Sequence, residues 1–263
     1  MEIGLSSASF YPTINPEESI KLIKSIGFNS GEIFLNTYSE YEEEFGRILL
    51  KEKEKYDFNI NSIHSFASAF EPYIFDRYER RREDMVKIFR KVCRVGKIIG
   101  AKYYTFHGDR YRPIDTVDLE LIIKVYKTLV EIAYDEGIIL CQENVSRCMS
   151  KDLDFLKILL KEVPELNYTL DIKQAFKCGI DPKEYIGVLK NRIKNLHIND
   201  RSQKEDCLLP GKGDVDYRGI IKELKTYGYN GIGIIEVYRD NFEENHDLYK
   251  SKKFLEEILR EIE

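Results

Sequence analysis

DEGIILCQEN (residues 135–144) is the stretch from which the fold can be read. A helical pattern closes at Gly137, a short apolar run follows, and the run ends on Glu143, a side chain able to bind a metal ion. A continuous apolar run of this length between helical segments reads as a strand buried on both faces, the habit of parallel sheets. Three further runs carry the same ending: LNYTLD (166–171) on Asp171, IKNLHIND (193–200) around His197, and GIGIIEVY (231–238) around Glu236. Ligand-type side chains at the C-terminal ends of successive strands meet in space only if the strands are parallel and curl around one axis.

Working outward, the chain alternates apolar runs with amphipathic stretches about every thirty residues. Strands are predicted over 2–7, 30–35, 58–64, 102–107, 138–143, 168–172, 193–198 and 232–237. Between them apolar residues recur at three- and four-residue intervals, as in Met85, Ile88, Phe89, Val92, Val95, Ile98 and Ile99, where Gly100 ends the pattern. Leu121, Ile122, Val125, Leu129 and Ile132 form another such face, and Phe254, Leu255, Ile258, Leu259 and Ile262 a last one that would close the ring. Strands that alternate with helices require parallel pairing through crossovers. Eight such units, with no GxGxxG after the first strand, predict a single (β/α)8 TIM barrel over residues 1–263 rather than an open doubly wound sheet. No Pro-, Gly- or Ser-rich linker divides it. The segments 65–78 and 108–116 are long enough to roof the mouth; Phe66, Phe70, Tyr73 and Phe75 in the first either pack as a lid or cover a helix.

The 263 residues suit one such domain, and 43% hydrophobic with 33% charged residues describes an ordinary soluble chain. Net charge is −5 with both signs interspersed, so no basic stripe invites nucleic acid. Five cysteines, an odd number without CxxC spacing, argue against a disulfide framework and for a reducing cytoplasm. The opening MEIGLSSASF has neither a basic nor a long apolar region, and no run is long enough to span a membrane.

The polar residues at or near the strand ends are, in order, Glu32, His64, His107, Glu143, Asp171, His197 and Glu236. Three of the four histidines are among them; His246 falls in the last loop or helix and is expected to be exposed. Catalytic groups of such barrels sit at this end. Taken singly none of these residues decides anything. Together, several carboxylates sharing one mouth would repel one another unless a cation joined them. Two glutamates, one aspartate and one histidine make an oxygen-rich set that suits one divalent ion, Mn²⁺, Mg²⁺ or Co²⁺ ahead of Zn²⁺.

Glu143 in CQENV, Asp171 in LDIKQA, His197 with Asp200 in NLHIND, the PGKGDVDY loop (210–217) and Glu236 in GIIEVY resemble the xylose isomerase-like TIM-barrel superfamily. GFNSGEIF (27–34), SIHSF (62–66) and TFHGD (105–109) extend the resemblance over essentially the whole chain. That superfamily holds sugar-phosphate isomerases and epimerases, inosose dehydratases, hydroxypyruvate isomerases and endonuclease IV-type enzymes. In its ketose 3-epimerase branch one divalent metal is held at the positions matching Glu143, Asp171, His197 and Glu236, and the two glutamates also serve as the acid/base pair. The resemblance implies a small carbohydrate substrate whose carbonyl and neighbouring hydroxyl bind the metal. Glu143 or Glu236 would remove the proton beside the carbonyl, with the metal stabilising the enediolate. Return of the proton to the opposite face epimerises, return to the adjacent carbon isomerises, and loss of a β-hydroxyl dehydrates, as in an inosose-type dehydratase.

His64 and His107 match positions that bind substrate hydroxyls in the sugar enzymes and zinc in the endonucleases, and are read as substrate-binding. By the same resemblance Arg201 and Lys212 bind substrate oxygens or a phosphate, while Gly211 and Gly213 let the backbone turn over the mouth. Asp200 is expected to orient a ligand from outside the metal's own contacts. Glu32 matches a glutamate that recurs in the family's second strand, its role left open.

The pattern breaks at Gln174, where the family carries a histidine three residues after the sixth-strand aspartate. In the endonuclease branch that histidine binds zinc and another follows the seventh strand, yet 201–216 contains none. A three-zinc site, and with it abasic-site endonuclease or phosphodiesterase activity, therefore falls behind the isomerase reading. In the sugar branch the same position contacts substrate, and Gln174 can still donate and accept hydrogen bonds there. A non-catalytic sugar-binding barrel is a third reading, disfavoured by an intact ligand set. A homo-oligomer is compatible with the surface such barrels offer.

Overall fold

The computed structural model describes residues 1–262. Eight strands, β1 (Glu2–Ser6), β2 (Ser30–Leu35), β3 (Asn59–Ser65), β4 (Tyr103–Phe106), β5 (Ile139–Glu143), β6 (Asn167–Asp171), β7 (Ile193–Ile198) and β8 (Ile232–Ile235), close into a barrel in sequence order. Every neighbouring pair is parallel, and β8 meets β1 with Ile232 opposite Glu2. The predicted strands lie where the apolar runs placed them. Differences are confined to the ends: β4 and β8 stop earlier than expected, so His107 and Glu236 stand just beyond their strands.

Among the described residues nine helices clothe the barrel: α1 (Pro16–Ile26), α2 (Glu43–Lys55), α3 (Glu79–Ile99), α4 (Leu119–Asp135), α5 (Leu153–Glu162), α6 (Ile172–Lys177), α7 (Pro182–Leu189), α8 (Tyr217–Thr226) and α9 (Asn245–Ile262). Local sequence explains their limits. Pro16 opens α1 with Glu17 and Glu18 in its first turn and Lys24 in its last, the order that suits the helix dipole. The α3 stripe buries Phe89, Val92, Val95 and Ile99 against the barrel, and Gly100 ends the helix at φ 68°. All five cysteines are free. No helix among the described residues is long and apolar enough to cross a membrane.

The two mouth segments divide their labour differently from a simple roof. Phe70 and Phe75 are buried, Phe70 against Tyr41 and Phe75 against Tyr126 at 5.2 Å between ring centres, so they cover helices. Phe66, half-exposed, is the aromatic of that segment left at the mouth. Residues 108–116 are stitched sideways onto the loop after β5, with Tyr111 N donating to Arg147 O and Arg110 bridging Cys148. Buried Glu71 anchors the first segment by accepting from Ser65 Oγ, Tyr104 Oη and the backbone N–H groups of His107 and Gly108.

Candidate active site

Strand ends β5 to β8 aim their last polar side chains at one point. One ligand atom from each of Glu143, Asp171, His197 and Glu236 lies within 4.8 Å of the others, all four residues being buried. His197 stands at the centre: Nδ1 is 3.1 Å from Glu143 Oε1, 3.3 Å from Glu236 Oε2 and 3.8 Å from Asp171 Oδ2. Its other nitrogen, Nε2, is 3.1 Å from Glu32 Oε2. Asp171 does two jobs. Oδ1 caps α6 by accepting from Gln174 N at 2.8 Å, while Oδ2 stays free on the cluster side. Asn144 fixes the neighbouring backbone, donating to Asp171 O and accepting from Asp171 N.

His64 and His107 complete the mouth. Their Nε2 atoms are 2.8 Å apart, and His107 Nε2 is also 2.8 Å from Glu143 Oε2. His64 Nδ1 approaches Glu32 and Glu236 at 3.5 and 3.4 Å. His64, His197 and the glutamates around them shift one another's ionisation. Burial opposes ionisation of Glu32, but His197 and His64 overcome it and hold its pKa down at about 2. Burial likewise disfavours a charged His64, yet Glu236 and Glu32 raise its pKa to about 10. Glu143 and Glu236 lie well below the usual carboxylate range because neighbouring imidazoles outweigh their burial. His197 is raised well above the usual imidazole value, its burial outweighed by Glu32 and Glu236.

A cavity of about 240 Å³ opens on this cluster, lined by His64, His107, Glu143, Glu236 and Gln174 among the expected residues, and by Arg147 and Lys173. Gln174 Oε1 is engaged by Ser146 N and Oγ, at 3.0 and 2.8 Å. Arg201 and Lys212 fall outside this lining. Arg201 lies over the Phe176 ring and 3.8 Å from Asp214, and Lys212 is exposed. Asp200 does not reach a cluster side chain; its carboxylate is spent on Arg201 N, Gly211 N and Val215 N, folding the 201–216 loop. Gly211 there has φ 90°, and a Cβ on Gly213 would sit 2.0 Å from Arg201 O, so both glycines are required by the turn. His246 is exposed and stacks on Tyr249.

The structure gives Glu32 the place that the sequence left open, and it adds Lys173, which was not read from the sequence. Glu32 is fully buried beneath the cluster, where Ser62 Oγ, Thr105 Oγ1 and Asn195 Nδ2 donate to its Oε2. Lys173 is 3% exposed and stands 3.8 Å from Glu236 Oε2 and 4.0 Å from Asp171 Oδ2. Its only sequence signal was its place two residues beyond a strand-end aspartate.

The donor set fits a divalent cation. Asp171 Oδ2 is a buried carboxylate oxygen without a hydrogen-bond partner, and it faces the His197 imidazole and the carboxylates of Glu143 and Glu236. Leaving such an acceptor unpaired in the interior is costly, and an ion coordinated by three carboxylates and one imidazole would satisfy it and offset the charge the three carboxylates share. His64, His107 and Glu143 form a second, overlapping group of ligand atoms.

Comparison with known proteins agrees with this geometry. The family model described as xylose isomerase-like TIM barrel matches residues 20–258. Protein MJ1188 of Methanocaldococcus jannaschii, uncharacterized by name, is 26% identical over 279 aligned residues, covering 100% of this chain and 97% of its own. Among solved structures, a D-tagatose 3-epimerase-like protein superposes with a TM-score of 0.82 at 22% identity, covering 100% of this chain and 98% of that one. A D-psicose 3-epimerase solved in the presence of D-fructose gives 0.80 at 16% identity over 98% and 99% of the two chains. At these identities the structural likeness establishes the shared fold.

Proposed function

The chain belongs to the xylose isomerase-like TIM-barrel family, and from that premise we propose that it is a divalent-metal-dependent isomerase or epimerase of a small polyhydroxy carbonyl compound. One observation carries the reading. Glu143 and Glu236 converge on the cluster from β5 and from the end of β8, and both line the cavity. Two ionised carboxylates approaching a guest from different sides of the barrel are what removal and return of a carbon-bound proton requires. The structural neighbours whose names describe ketose epimerases support a sugar-like substrate.

Glu143, Asp171, His197 and Glu236 would hold the metal. When bound, the ion supplies Lewis-acid polarisation of a carbonyl and offsets the negative charge that deprotonation creates. The chain's own side chains do the rest. Glu32 fixes the His197 ring through Nε2, so that Nδ1 faces the cluster. His64, His107 and Gln174 line the cavity with hydrogen-bonding groups suited to hydroxyls. Glu143 or Glu236 takes the proton next to the carbonyl, and the same or the opposite carboxylate gives it back. Expulsion of a β-hydroxyl from the same enediolate would make the enzyme a dehydratase.

A phosphodiesterase is the second reading, favoured only by the His64–His107–Glu143 group, which offers ligand atoms for another ion sharing Glu143. Gln174 and a 201–216 loop without histidine weigh against it. The deciding experiment is metal analysis followed by incubation with D-fructose, D-tagatose and D-psicose in D₂O. Deuterium entering a carbon next to the carbonyl supports proton transfer. No exchange across the panel by metal-loaded protein would overturn it.

A further inference from the structure

Lys173 belongs to no role assigned so far, yet its ammonium lies in the cavity beside two candidate metal ligands. Building on the proton-transfer reading above, we propose that Lys173 is a further catalytic residue, donating a hydrogen bond to the substrate oxygen on which negative charge grows as the carbon-bound proton leaves. Its contacts argue for this. Nζ stands 3.8 Å from Glu236 Oε2 and 4.0 Å from Asp171 Oδ2, beyond hydrogen-bond length, and 4.6 Å from the centre of the Tyr238 ring. Surface lysines of the same chain pair with carboxylates over a range, from 2.8 Å for Lys87 with Asp84 to 3.8 Å for Lys97 with Glu136, so what sets Lys173 apart is its burial at the cavity without a hydrogen bond. It stands between two carboxylates and a ring, with no hydrogen bond to another described residue, and its three donors are left for a guest.

The kind of oxygen it serves follows from its neighbours. A permanently anionic group placed at Nζ would also lie close to Asp171 and Glu236, and their charges would repel it. A carbonyl or hydroxyl oxygen is neutral on entry and becomes negative only in the reaction, so it meets the ammonium without that penalty and gains most when charge develops. The position is also rigid. Lys173 lies in the first turn of α6, whose N-cap is Asp171 itself, so one turn of chain sets both the ligand and the donor. In the step proposed, the carbon-bound proton passes to Glu143 or Glu236. The C–H electron pair forms the enediolate double bond, the carbonyl π pair moves onto oxygen, and Lys173 keeps its protons.

The test compares wild type with Lys173→Met and Lys173→Arg, each loaded with Mn²⁺, in solvent exchange of the same ketose panel and in calorimetric titration of metal-free protein with Mn²⁺. Lys173→Met should lower kcat for exchange about 100-fold or more with little change in KM, the cost of losing one preorganised oxyanion donor. It should also bind Mn²⁺ more tightly, by about tenfold, because a positive charge beside the ligands is gone. Lys173→Arg should recover part of kcat. An unchanged kcat in Lys173→Met, or weaker Mn²⁺ binding, overturns the proposal, since the first means no role in the step and the second a role in building the site. If Lys173→Met does not fold, Lys173→Gln carries the same comparison. Absence of exchange in wild type overturns the function and this role together, whereas exchange equal in wild type and variant overturns this role alone.

Discussion

Glu32 Oε2 lies 3.1 Å from His197 Nε2, and that contact decides which imidazole nitrogen faces the carboxylate cluster. With Nε2 turned to Glu32, Nδ1 is left for Glu143, Glu236 and Asp171. Glu32 is itself held by Ser62, Thr105 and Asn195 in the barrel interior, so the ring cannot rotate without breaking several buried hydrogen bonds. Glu32→Gln should therefore weaken Mn²⁺ binding by about 10- to 100-fold, the usual cost of losing a carboxylate that orients a metal-binding histidine. Calorimetric titration of the metal-free variant reads this directly. Affinity equal to wild type would show that the ring is held by something else.

Metal loading should stabilise the protein, and more so as pH rises. In the metal-free protein His64 is raised from 6.5 to about 10, and His197 is raised as well, both through neighbouring carboxylates that outweigh their burial. Such pairs contribute fully below the ordinary imidazole value and are lost as pH climbs through the raised one. Glu32, lowered from 4.5 to about 2, contributes above its ordinary value and is lost as pH falls toward 2. The metal-free protein should thus be most stable between about pH 4.5 and 6.5. A cation on His197 Nδ1 must displace a proton, so its affinity rises with pH. At a hundredfold excess over Kd it adds about 2.7 kcal/mol, or roughly 5–10 °C in Tm at this size. Thermal melts with and without EDTA from pH 5 to 9 check this. A Tm difference that shrinks as pH rises would contradict the assignment of His197 as ligand.

The barrel was legible because burial on both faces writes each parallel strand as an apolar run, and the candidate ligands stood at or near the ends of those runs. Glu143, Asp171, His197 and Glu236 could be grouped from spacing before any distance was known. What sequence did not reveal depends on side-chain direction across strands far apart in the chain. Glu32 reaches His197 over 165 residues of separation, and only the closed barrel brings them together. Lys173 was not singled out from the sequence, and its place at the cluster follows from α6 beginning at the strand end itself. Arg201 and Lys212 were drawn in by proximity to the ligands along the chain, but the loop folded by Asp200 keeps them out of the cavity lining.

Glu71 holds the mouth segment by four hydrogen bonds, two of them from backbone N–H groups at His107 and Gly108. Glu71 is fully buried, and burial raises its pKa above the ordinary carboxylate value despite His107 and these donors. Glu71→Ala would leave several buried donors without acceptors, each costing on the order of 1–3 kcal/mol. A loss of about 3 kcal/mol or more in urea unfolding is expected, with Glu71→Gln recovering part because one oxygen still accepts. A loss under about 1 kcal/mol would mean that water replaces the carboxylate and that Glu71 does not anchor the segment.

Glu143 and Glu236 differ in what their loss should do, because they face the cavity from different strands and have different neighbours. Glu143 has His107 and His197 beside it, whereas Glu236 has His64, His197 and Lys173. If one carboxylate removes the proton from one epimer and the other removes it from the second, each single Gln variant loses the full interconversion but keeps half of the exchange chemistry. Glu143→Gln should lower turnover by about 1,000-fold or more, near the upper range for a general base, while an amide oxygen and three intact ligands retain most of the metal. In D₂O it should still label one epimer through Glu236, and Glu236→Gln should label the other through Glu143. NMR of each substrate after incubation distinguishes the outcomes. Loss of exchange from both epimers in one variant alone would assign both proton transfers to that residue, reducing the second glutamate to a metal ligand. Unchanged turnover in Glu143→Gln would remove it from the chemistry altogether.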